Sequence, residues 1–113
     1  MNGDVWIVTT TGEIQRFRRD PLATTVARVD FTPRWSTSPV HATAIQALEA
    51  QQSIYVLDGA AHIIVELTSD GREIARYALP TALPAATDFY VSEASGVAYT
   101  LHGTKLVGTS IRR

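Results

Sequence analysis

Short apolar or alternating apolar and polar runs, each five to seven residues long, recur along the chain and are separated by Gly, Thr, Ser, Asp or Pro. A period of two broken by turn residues predicts β-strands, and the predicted segments are 4–9, 13–18, 25–31, 43–48, 53–57, 62–67, 73–79, 87–92, 97–101 and 105–110. The rival for helix is 40–52, where Ala, Leu and Gln have good helix propensity. A strand is preferred there because the equivalent place in the next repeat, Asp88-Phe89-Tyr90-Val91-Ser92, is aromatic and β-branched.

That repeat is visible without gaps when 43–58 is laid over 87–102, a shift of 44 residues. Thr43/Thr87, Glu49/Glu93, Ala50/Ala94, Tyr55/Tyr99 and Leu57/Leu101 coincide. A partial third copy opens the chain: Val5-Trp6-Ile7-Val8-Thr9 matches Ile54-Tyr55-Val56-Leu57-Asp58 and Ala98-Tyr99-Thr100-Leu101-His102. Each copy reads as an aromatic-centred strand, a turn, an aliphatic strand, then Asp-Gly or Asp-Pro and an outer strand. Thr68-Ser69-Asp70-Gly71 is the best-formed turn and predicts a two-residue hairpin, its glycine supplying positive φ.

Residues 53–80, in which Tyr55, Asp58, Ile64, Asp70 and Gly71 carry the pattern, resemble one repeat of the NHL family of β-propellers. In the other copies Thr9 and His102 stand in the place of Asp58, and Asp20-Pro21 replaces Asp-Gly. The resemblance implies an all-β fold of antiparallel four-stranded repeats, a partial propeller of about two and a half blades, because the first copy lacks its innermost strand and the last its outermost. A compact β-sandwich of the same strands is the alternative. The expected organisation is one repeat domain over 1–113, with repeats at about 1–39, 40–83 and 84–113, either a piece of a larger propeller or a subunit that completes a ring with its own copies.

Composition narrows the function classes. An apolar fraction of 45% with 19% charged residues fits a folded globular chain. Ten basic against eleven acidic side chains leave a net charge of -1, which offers no field for nucleic acid or an anionic membrane. With no cysteine there is no disulfide, thiolate nucleophile or sulfur-ligated metal. No signal peptide or transmembrane run is read in these residues, so a cytoplasmic setting is the default expectation.

The candidate chemistry is sparse. His41, His62 and His102 fall on separate strand ends or turns; His62 and Glu66, four apart on a strand, would stand about 13 Å apart and cannot share an ion. Gly103–Ser110 has glycines at phosphate-loop spacing but Thr109 where lysine is required. Asp58 and Asp70 follow strands, where carboxylates accept turn amides. Trp6, Tyr55 and Tyr99, one per repeat, read as packing between blades; Arg16, Arg18 and Arg19 could pair with an acidic partner or solvate an edge, and edge protection is the commoner use.

The segment 30–39 stands apart. It lies outside the repeat, is bounded by prolines, and holds Phe31, Arg34 and Trp35, residue types enriched at binding hot spots. As a plain connector, its Trp35 would cover the core edge. The expectation is therefore a non-catalytic protein-interaction or scaffold module with no catalytic residues, metal or cofactor. Its partner would be another protein or the parent chain, or further copies of itself, with Phe31, Arg34 and Trp35 as the interaction candidates. A propeller-type lyase or hydrolase with a channel site is the enzymatic alternative, for which Thr43, Thr87 and Asp88 are the candidate lining.

Overall fold

The computed structural model describes residues 4–19, 22, 25–48 and 53–111. Their elements are ten strands: β1 (Asp4–Val8), β2 (Ile14–Arg19), β3 (Val26–Val29), β4 (Ala44–Leu48), β5 (Ser53–Asp58), β6 (Ile63–Thr68), β7 (Glu73–Ala78), β8 (Ala86–Ser92), β9 (Val97–His102) and β10 (Lys105–Ser110). No helix occurs among the described residues, and the helical rival is a strand at Ala44–Leu48; 49–52 and the Asp20-Pro21 turn lie outside them.

The strands form three antiparallel sheets, each in plain chain order: β1-β2-β3 (sheet 1), β4-β5-β6-β7 (sheet 2) and β8-β9-β10 (sheet 3). By the repeat alignment β1 is equivalent to β5 and β9, so among the described residues sheet 1 has no counterpart of β4 and sheet 3 none of β7. The chain is all-β, and its described residues form one four-stranded sheet between two three-stranded ones.

The sheets stack face to face with sheet 2 in the middle. Ile54, Val56, Val65 and Leu67 on one of its faces pack with Ile14, Val40 and Ala42, joined by Trp6 and Val8 of β1. Tyr55, Leu57 and Ile64 on the other pack with Val91 and Ala98 of sheet 3. All six residues of β5 are buried, which explains why it reads as a continuous apolar run rather than an alternating one: both of its faces are covered. Each large side chain so buried stabilises the fold by about 1.5–3 kcal/mol before the entropy of ordering it is subtracted. The sheets approach one another through β1, β4, β5 and β8.

The β6–β7 connection differs from the two-residue hairpin predicted. The amide of Gly71 donates to Thr68 O and that of Thr68 to Arg72 O, so three residues, Ser69 to Gly71, make the loop. Gly71 takes φ +98°, and the register shifts by a residue between Glu66 and Leu67. A glycine at positive φ suits the last place of a three-residue loop, and the register shift lies beyond it, where Ile74 is the extra residue of β7.

Candidate interaction surfaces

The segment 30–39 is strapped along the β6–β7 hairpin. The Arg34 amide donates to Gly71 O at 2.8 Å, and Arg34 and Arg72 form a parallel bridge. A side chain at position 71 would meet Thr32 O at 2.6 Å, so glycine serves both the turn and this close approach. Glu73 takes the amide and hydroxyl of Ser36 at 2.9 and 2.8 Å, and Arg76 reaches from Glu73 to Ser38 O at 2.6 Å. Burial by itself would raise the Glu73 carboxyl, but the bonds from Arg76 and Ser36 outweigh it and hold its pKa down to about 2.

The three sequence candidates fall on different parts of this strap. Phe31 meets Trp6 edge to face, ring centroids 5.0 Å apart, and Trp35 packs against the core between sheets 1 and 2. Arg34 is exposed and pairs with Asp70 at 3.3 Å. Phe31 and Trp35, with Glu13, Arg28 and Pro33, also line a hollow of about 350 Å³ at the edge of that core.

Arg16 and Arg18 do more than solvate an edge. Arg16 bonds Asp4 at 2.6 Å, reaches Ser69 O at 3.3 Å and lies over the Trp6 ring, 5.0 Å from its centroid, tying sheet 1 to the β6–β7 turn. Asp4 is almost fully enclosed; burial pushes its carboxyl up, yet Arg16 and Arg18 together hold it below the ordinary aspartate range. The side chain of Arg19 lies outside the described residues.

Asp58 accepts the amides of Ala61 at 3.1 Å and His41 at 3.0 Å, tying its own turn to the chain entering β4. Asp70 accepts from the Thr68 hydroxyl and faces Arg34, and these hold its carboxyl below the ordinary range. In the place of Asp58, His102 is buried: its Nδ1 lies 2.8 Å from Pro84 O, which can only accept, so that nitrogen carries the proton and Nε2 accepts from Thr100 at 2.7 Å. His41 is exposed beside Gly12, and His62 closes the β5–β6 turn. The three imidazoles thus do separate jobs, and among the described residues no cluster of three or more His, Asp and Glu could hold a metal.

Sequence reasoning missed two features. The first is two carboxylates that take tyrosine hydroxyls: Glu66, fully enclosed, accepts from Ser53 at 3.0 Å and Tyr77 at 3.1 Å, while the half-buried Glu93 accepts from Tyr55 at 2.6 Å. The second is the exposure of the two outermost sheet faces. Of the nine exposed large apolar side chains among the described residues, Tyr90, Tyr99, Leu101 and Leu106 stand on the outer face of sheet 3. Val5, Ile7 and Val26 stand on the outer face of sheet 1.

The repeat predicts the same packing for Tyr99 as for Tyr55, whose ring is buried between sheets 2 and 3. Tyr99 is instead 37% exposed, beside a depression of about 190 Å³ that it shares with Asp88, Tyr90, Leu101 and Leu106. The signal was present in the repeat, which puts Tyr99 in register with Tyr55; what was missing was the knowledge that no sheet covers it among the described residues.

No known protein family, curated protein or solved structure matches this chain. Among the described residues no helix is long and apolar enough to cross a membrane.

Proposed function

We propose that this chain is a non-catalytic protein-interaction or scaffold module built of β-propeller-type repeats of the NHL kind, taking its place beside further blades of a larger propeller. The observation that carries the reading is the exposure of two apolar faces at opposite ends of one stack of sheets, one presenting Val5, Ile7 and Val26 and the other Tyr90, Tyr99, Leu101 and Leu106. Contiguous exposed apolar surface rimmed by polar residues marks association sites. The meander order within each sheet, and the approach of the sheets through β1, β4, β5 and β8, support a blade-like arrangement. The strap that carries Phe31, Arg34 and Trp35 would offer a second contact at the sheet edge, with Arg34 as its exposed member.

The test is whether the end face is spare from the fold. The variant carrying Tyr99→Ser and Leu106→Ser is expected to keep its β-type circular dichroism and, in dilute solution, a Tm within about 4 °C of the parent, since exposed residues carry little stability. Cooperative loss of the β signal would make the face a part of the folding core and overturn the reading.

A further inference from the structure

We infer that the outer face of sheet 3 docks on the outer face of sheet 1 of a second copy of this chain, head to tail, so that two copies close into a ring of six sheets. The inference rests on the blade reading above and names the occupant of its end faces.

The argument is that the chain already makes this interface twice within itself. Across the repeat, Trp6 and Val8, Tyr55 and Leu57, and Tyr99 and Leu101 occupy equivalent places. The first pair packs onto sheet 2 and the second onto sheet 3. The third pair faces solvent, both members 37% exposed. The intervening positions receive: Ile54 and Val56 of sheet 2 lie in the layer with Trp6 and Val8, and the inner face of sheet 3 that carries Ala98 and Thr100 meets Tyr55 and Leu57. Their equivalents in sheet 1 are Val5 and Ile7, which are 43% and 44% exposed and receive no sheet among the described residues. One end of the stack therefore carries the donating half of a repeated interface and the other end the receiving half.

A heterologous interface either closes or grows into a filament. Two copies supply six sheets, within the four to eight of closed propellers, whereas three would supply nine.

Sedimentation velocity over a concentration series tests this on the full chain. The parent is expected to show a species of twice the 12.3 kDa chain mass. The Tyr99→Ser, Leu106→Ser variant should dissociate about a hundredfold more readily, because it loses two anchors at each of two interfaces. Ile7→Ser, on the receiving face of sheet 1, should weaken the dimer as well.

A folded parent that stays monomeric throughout overturns self-association while leaving the interaction-module reading standing. A dimer indifferent to Tyr99 and Leu106, or to Ile7, overturns the head-to-tail docking. Unfolding of the Tyr99, Leu106 variant would instead strike the module reading itself.

Discussion

The hydroxyl of Tyr55, whose ring is buried between sheets 2 and 3, donates to Glu93 Oε2 at 2.6 Å. Burial, then the bond to Glu93 and the nearby Glu66 carboxylate, push the phenol well above its ordinary range. A pKa raised on folding contributes stability that is fully present below the ordinary phenol value of about 10 and lost as pH climbs beyond it. Tyr55→Phe should cost about 1–2 kcal/mol at neutral pH and flatten the alkaline fall in Tm. An unchanged alkaline profile in the variant would refute the assignment.

Glu73 gives the opposite sign. Its folded value of about 2 lies below the 4.5 of a free glutamate, so its contribution is present above 4.5 and lost as pH falls toward 2. The effect is roughly 2–3 kcal/mol at most. Glu73→Gln should lower the neutral-pH Tm and make the acid side of the stability curve shallower, read by thermal melts between those limits. The strap should loosen with it, seen as faster amide exchange at Ser36.

Gly59 sits where the β5–β6 turn touches β8. A side chain there would fall 2.3 Å from Ala86 O, a backbone atom that cannot swing aside. Gly59→Ala should destabilise by about 1–3 kcal/mol, with sheets 2 and 3 forced apart. A variant with the parent's urea midpoint would show that the turn does not bear on β8.

His62 holds φ +56°, a left-handed conformation that costs a non-glycine residue about 1 kcal/mol. His62→Gly is expected to be neutral or slightly stabilising, and His62→Val to be destabilising by about 1–2 kcal/mol, since a β-branched residue suits that φ least. Equal urea midpoints for the two variants would contradict the backbone argument.

Local pattern carried much of this fold. The apolar run Ser53–Asp58 and the alternating Val97–His102 each declare a strand because side-chain direction in a strand alternates with every residue. Asp58 was legible as a turn-binding carboxylate for the same local reason. The β6–β7 loop was less so, because Asp70-Gly71 suits a two- or a three-residue hairpin and the pairing of Thr68 with Arg72 decides between them. The Glu66 and Glu93 carboxylates were hidden because nothing near them in sequence announces Tyr77 or Tyr55 as their donors.

What the sequence by itself determined was the strands, most of the turns and the repeat, all of them consequences of neighbouring residues and of period two. What only the tertiary structure decided was which face of each strand is covered. Tyr55 and Tyr99 are identical in type and equivalent in the repeat, yet one is enclosed and the other is in water. Burial is a property of the surface opposite, and among the described residues sheet 2 has a neighbour on both faces while sheets 1 and 3 each have one.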